Sequence, residues 1–284
     1  MDISVTENGT QFDRYGAMWI NGVEILRTTT AEPTSEGIAW TIEKDLTTYS
    51  SMFADTTSES APLVATLSIP NNIDDTYTGV PLVTTTITFY PNTNPEDDPN
   101  HAEVEVVAIT DSPGNWEQMS VTGNTPFLNY SVSVDPTDVT CVTLDLMASA
   151  HGCEEFWYTN IDDESNPIAA ELGLCGGGTY REIQVYVDGL LAGAVYPFPV
   201  VYTGGINPLL WRPLSGIMSF DIPAYSFDIT PFLLPQTDAA GRTETQDQDQ
   251  DQNQHEIAFT VVGNNLSGNW YVDGSLRVSR TAGV

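Results

Sequence analysis

Short apolar or alternating runs, each closed by Gly, Pro, Asn or Asp, recur along the whole chain: Tyr15 to Ile20, Leu63 to Ile69, Val83 to Tyr90, Val104 to Ile109, Val139 to Met147, Ile183 to Val187 and Trp270 to Ser279. This is the pattern of short β-strands, and no segment sustains a long helical period. Asn21-Gly22 and Asp188-Gly189 stand between apolar runs and predict hairpin turns, whose two central residues both need positive φ. Strands of this kind bury their apolar faces against a second sheet. The pattern therefore predicts an all-β fold of antiparallel β-sandwiches.

The breaks in the pattern divide the chain. Asn92 to Asn100, with two prolines and three consecutive acids, predicts a polar loop. Asp111 to Gly123 carries Pro113 and several turn formers before strand-like sequence resumes at Phe127. A chain of 284 residues suits two domains. They are expected at 1–110 and 127–284, with a linker at 111–126. The Asp-Gln alternation of residues 243–254 has nothing apolar to bury and predicts a flexible acidic loop.

Charge narrows the partners. Thirty-nine acids against eight bases, of which only Lys44 is lysine, give a formal charge of -31. Such a field repels phosphate, so nucleic acid and anionic membrane are not expected partners. No basic stretch followed by an apolar run opens the chain, and none of its apolar runs approaches a membrane span, so the sequence reads as a soluble chain without an export signal. Three cysteines allow one intrachain bridge. Cys153 and Cys175 both flank Gly-rich turns and are the expected pair, leaving Cys141. His151 beside Cys153 does not make a four-ligand metal set, and no phosphate loop or Ser-His-Asp signature is present. No metal and no cofactor are expected. Asn8, Asn129 and Asn265 head glycosylation sequons, a signal that bears only on passage through a secretory route.

Two stretches carry candidate chemistry, one in each half: Phe12-Asp13-Arg14-Tyr15 and His151-Gly152-Cys153-Glu154-Glu155-Phe156-Trp157. Each sets an acid beside aromatics, as a carboxylate hydrolase built from two sheet domains requires. If residues 12–20 are extended, Asp13 shares a face with Tyr15, Ala17 and Trp19, opposite Arg14. The same alternation places Glu155 with Trp157 and turns Glu154 the other way.

Around these residues the chain resembles a known family. Phe12-Asp13-Arg14-Tyr15, the run from Trp19 to Thr28, Thr30-Ala31-Glu32-Pro33, Trp40 to Asp45, Asp75 to Val80, and above all the run from Pro197 to Pro213 resemble the peptide:N-glycanases of the A type. The resemblance spans nearly the whole chain. It implies two jelly-roll domains and hydrolysis of the amide joining an N-glycan to asparagine, with N-glycosylated peptides or glycoproteins as partners and a secreted location. By resemblance to the F type, Asp13 is the key catalytic acid and Glu155 the glutamate that works with it. A third acid of the F type falls nearest Asp74, a position that also suits a plain turn aspartate. Trp157, Trp211 and Arg212 are the expected substrate contacts, although Trp211 could equally pack inside the protein. Members of the family carry strands ahead of the Asp-Arg-Tyr strand, so the first jelly roll is expected to be incomplete. The alternative to an amidase is a lectin-like jelly roll that binds N-glycan cores without turnover; a glycosidase is the third reading, since paired carboxylates also cleave sugar bonds.

Overall fold

The computed structural model describes residues 1–53, 62–90, 103–110, 116–122, 127–162, 171, 173–204, 216–234 and 253–281. The expected loop at 92–100 and residues 243–252 of the one expected at 243–254 lie outside them, while Gln254 opens a strand.

The chain forms two compact units. The first comprises Met1–Asn100, Pro113–Asn115 and Val200–Pro223; the second comprises His101–Ser112, Trp116–Pro199 and Ala224–Val284. This differs from a single break at 111–126. The expected linker contains a strand of the second unit, and the first unit takes back a segment from beyond residue 199.

In the first unit, β1 (Asp2–Glu7) lies between β4 (Ile38–Glu43) and β6 (Leu82–Thr86). A second sheet sets β2 (Tyr15–Ile20) between β3 (Val23–Thr29) and β5 (Ala65–Ser68). All these pairings are antiparallel. Strand β1 alternates strictly, burying Ile3, Val5 and Glu7 while exposing the residues between them. Strand β2 does not alternate: Ala17, Met18, Trp19 and Ile20 are all buried. The expected two-faced reading of residues 12–20 fails because β2 is a central strand with its register shifted between Met18 and Trp19. The Asn21-Gly22 hairpin is as expected, with φ of 47° and 85°.

The returning segment runs along β3. Thr29 N donates to Ser219 O at 2.8 Å, and Ile222 N donates to Arg27 O at 2.9 Å. Thr29 Oγ1 adds a bond to Ser219 O. These bonds satisfy backbone groups at the edge of β3 that would otherwise be unpaired.

The second unit is a β-sandwich. One sheet orders β13 (Tyr225–Asp228), β10 (Val139–His151), β15 (Asn269–Arg280) and β7 (Glu103–Ala108), with β8 (Glu117–Ser120) also paired to β15. The other orders β12 (Leu190–Val195), β11 (Arg181–Val187), β14 (Gln254–Gly263) and β9 (Leu128–Ser133). Val142, Leu144 and Leu146 of the first sheet meet Ile183, Val185, Phe259 and Val261 of the second in one apolar cluster. Asp188 and Gly189, at φ of 50° and 77°, form the expected hairpin between β11 and β12. Cys153 and Cys175 form the expected disulfide, and Cys141 is free.

Candidate active site

Asp13 lies just before β2, where the ladder with β3 runs out. Arg14 N donates to Thr30 Oγ1 at 2.7 Å, and Thr30 N returns a bond to Arg14 O at 2.7 Å. Pro33 lacks the N–H needed to prolong the pairing, and the chain leaves the sheet with Glu32 partly exposed. Into this corner comes Thr203-Gly204 of the returning segment. Gly204 N donates to Asp13 Oδ2 at 2.7 Å, and Glu32 N donates to Thr203 Oγ1 at 2.9 Å. Thr203 is buried, and its side chain is also hydrogen-bonded to Asp13.

The absence of a side chain at Gly204 leaves room for two carboxylates. A methyl group there would stand 1.9 Å from Glu32 Oε2 and 3.0 Å from Asp13 Oδ2. The two carboxylate oxygens therefore flank one backbone carbon. Their separation cannot exceed the sum of those two distances, within the ~4–6 Å over which neighbouring charges move a pKa.

Burial raises the Asp13 pKa above the usual carboxylate value, against the opposing pull of the Gly204 N–H, the Arg14 charge and the Thr203 hydroxyl. Burial, and then the charge of Asp13, raises that of Glu32. Arg14 acts on Asp13 through its field. Its guanidinium donates to the Asp13 main-chain oxygen at 3.3 Å and to Gln11 Oε1, and it lies 4.9 Å from the centre of the Phe12 ring. The sequence motifs single out Asp13 and not Glu32. Its one signal was position, within Thr30-Ala31-Glu32-Pro33, and its neighbour stands 171 residues away.

A further acid, Glu7, also feels the charge of Arg14. It is buried at the end of β1, its Oε1 has no hydrogen-bond partner, and burial, tempered by Arg14, raises its pKa from 4.5 to about 7. The folded state thus favours the protonated form. Stability from this group is full below the unfolded value near 4.5 and is lost as pH rises through about 7. Glu7→Gln should flatten that fall, read as urea midpoints at pH values on either side of the window; equal falls in both proteins would contradict the assignment. The cleft beside Glu7, about 550 Å³ and lined also by Glu36, Val80 and Leu82, does not include Asp13. The hydrogen bonds around Asp13, rather than cavity size, locate the candidate chemistry.

Asp74 has a local role. Its Oδ1 accepts from Thr76 N and Tyr77 N, both at 2.7 Å, which lowers its pKa while the carboxylate stays exposed. These bonds are those of a turn aspartate, the other reading the sequence offered for it.

In the second unit, the chain leaves β10 at His151 and turns through Gly152, at φ +69°, into two short 3-10 turns, Gly152–Glu154 and Trp157–Thr159. Strand alternation therefore cannot sort residues 153–158. Glu154 is almost wholly buried and forms a forked pair with Arg181, Nε to Oε2 at 2.5 Å and Nη2 to Oε1 at 3.0 Å. Ser267 N and Trp270 Nε1 donate to the same carboxylate at 3.0 and 3.3 Å. Glu155 is half-buried, and its charge adds to burial in raising Tyr158 to about 12. Trp157 is only 2% exposed, edge-on to Tyr158 and Tyr196 within the apolar core. That burial corrects its expected role as a sugar contact. His151 packs against Tyr271 and has its Nε2 2.9 Å from Ser149 Oγ. Trp211 and Arg212 lie outside the described residues.

Comparison with known proteins gives the setting for these residues. Residues 1–282 match the family described as peptide N-acetyl-beta-D-glucosaminyl asparaginase amidase A. The chain is 35% identical over 283 residues to peptide-N4-(N-acetyl-beta-glucosaminyl)asparagine amidase A of Prunus dulcis, with 94% of this chain and 45% of that protein covered. It thus spans less than half the length of that relative. Two structures of PNGF-II, from C2 and P21 crystals, superpose with TM-scores of 0.52 and 0.54. Their identities are 13% and 12%, covering 100% and 99% of this chain and 57% of each of theirs, a likeness of fold. With its Asp-Arg-Tyr corner and its sequence matched almost from end to end, the chain belongs to the peptide N-acetyl-beta-D-glucosaminyl asparaginase amidase A family.

Proposed function

We propose that the chain hydrolyses the amide that joins an N-glycan to asparagine in glycosylated peptides or proteins, leaving aspartate behind. The observation that carries this reading is the Asp13 carboxylate, half-buried, raised in pKa and aimed by the Gly204 N–H, in a family described by amidase activity. An amide carbon is a weak electrophile, and its nitrogen leaves poorly unless protonated. Asp13 takes a proton from water as the water oxygen adds to the amide carbon. The carbon–nitrogen bond then breaks as a proton reaches the nitrogen, releasing a glycosylamine that loses ammonia in solution.

Glu155 is assigned the recognition of the first sugar, and Trp211 and Arg212 remain candidate contacts. Secretion belongs to the same proposal. The Cys153–Cys175 bridge suits an oxidising compartment, and the sequon residues Asn8, Asn129 and Asn265 are all exposed.

Incubation with a small N-glycopeptide, read by mass spectrometry, tests the reading. The expected product is a sugar-free peptide with aspartate at the former acceptor. Asparagine still bearing one sugar would indicate a glycosidase, and retained binding without turnover would indicate a lectin.

A further inference from the structure

We propose that Asp13 and Glu32 hold one proton between them across Gly204, so that the pair works as a monoanion, with Glu32 the positioning residue that sets the charge of Asp13. This rests on the proposed amide hydrolysis and adds a residue that neither the Asp-Arg-Tyr motif nor Glu155 supplies.

The geometry is specific. Both carboxylates press on the same backbone carbon, with oxygens 1.9 and 3.0 Å from where a Gly204 methyl would stand. Thr203 fastens the two strands by accepting from Glu32 N while its side chain bonds to Asp13. Two full negative charges at this spacing, in a half-buried corner, repel each other strongly, and such pairs ionise in two separated steps. The charged groups around the pair make the choice lopsided. Arg14, with its field on Asp13, favours ionisation there, and the same charge acts on the buried Glu7. Glu32 is raised by burial and then by Asp13's charge, and so retains the proton.

The proton count closes over one turnover. Asp13 takes a proton from the attacking water, and the pair becomes neutral. One of its two protons then passes to the departing nitrogen as the carbon–nitrogen bond breaks. The pair is again a monoanion, with hydroxide added to carbon and hydrogen to nitrogen.

Two substitutions separate this role from mere packing. Glu32→Gln keeps the shape and removes the titration. Gly204→Ala keeps the N–H that holds Asp13, and its methyl meets the movable end of the Glu32 side chain, so it displaces that carboxylate at little cost to the fold. The full chain should give a bell-shaped kcat/KM against pH on a glycopeptide, whose alkaline limb reports loss of the shared proton. Each variant should lose that limb, with a plateau lower by roughly 10–10²-fold. Carbon-13 carboxyl NMR should show Asp13 and Glu32 titrating as a coupled pair, and Glu32 reverting to a single step in Asp13→Asn.

A Glu32→Gln protein with the wild-type plateau and an unchanged alkaline limb would overturn the proposal. So would two independent single-step titrations. A chain that shows coupled titration but releases no glycan would leave proton sharing in place and refute the amidase reading instead.

Discussion

Asp13→Asn should abolish turnover of an N-glycopeptide, with kcat falling by roughly 10²–10⁴-fold, the range expected when a general base is removed. The substitution is close to isosteric, and the Asn oxygen can still accept from Gly204 N at the 2.7 Å position. What disappears is the negative charge that draws the proton from water. The loss should therefore fall on kcat and on kcat/KM alike, because the interaction removed belongs to the transition state. The pH dependence follows from the direction of the Asp13 shift. The base must be ionised, and burial raises its pKa, so the acid limb of the wild-type profile should lie above that of an ordinary exposed aspartate. A variant with near-normal kcat would remove Asp13 from the chemistry.

The second large effect is structural, and it separates two adjacent glutamates. Glu154→Ala should destabilise the second unit by about 3–5 kcal/mol, the cost of leaving a buried charge without its partner. Arg181 is fully buried, and the Ser267 and Trp270 donors would lose their acceptor with it. Against a typical domain stability of about 5–15 kcal/mol, that loss is large. Urea unfolding of the full chain should show a clear fall in midpoint for Glu154→Ala and little change for Glu155→Ala. Replacing Glu154 and Arg181 together with apolar residues should cost less than Glu154→Ala alone, since no charge is then stranded. Equal stability of the two single variants would contradict the assignment of Glu154 to the fold.

These two outcomes mark what the residues disclosed unaided. The hairpins at Asn21-Gly22 and Asp188-Gly189 were legible because two positive-φ residues between apolar runs leave few alternatives. The Cys153–Cys175 bridge was legible too, from its turns, while Asp13 was singled out by the motif around it. The roles of Glu154 and Trp157 were not. Gly152 takes the chain out of the strand at φ +69°, and beyond it the period of two no longer says which side chain faces inward. Asp74 satisfies two backbone N–H groups of its own turn, the use that its place before Asp75-Thr76 suggests.

Glu32 was illegible for another reason. Its importance comes from Thr203 and Gly204, which reach it only because Val200–Pro223 leaves the second unit's run of sequence to join the first. Contacts this distant leave no periodic trace in either segment. The same return defeated a single domain boundary, and the strand β8 within the expected linker belongs to the sheet of β15.

Water, activated by Asp13, is proposed to attack the asparagine side-chain carbon. The most direct measurement is turnover of a defined N-glycopeptide in water enriched in oxygen-18, with mass spectrometry of the released peptide. The expected product is an aspartate at the former acceptor carrying one heavy oxygen, formed by the wild-type chain and not by Asp13→Asn. An unlabelled asparagine at that position, with the heavy oxygen found only in the released sugar, would contradict it.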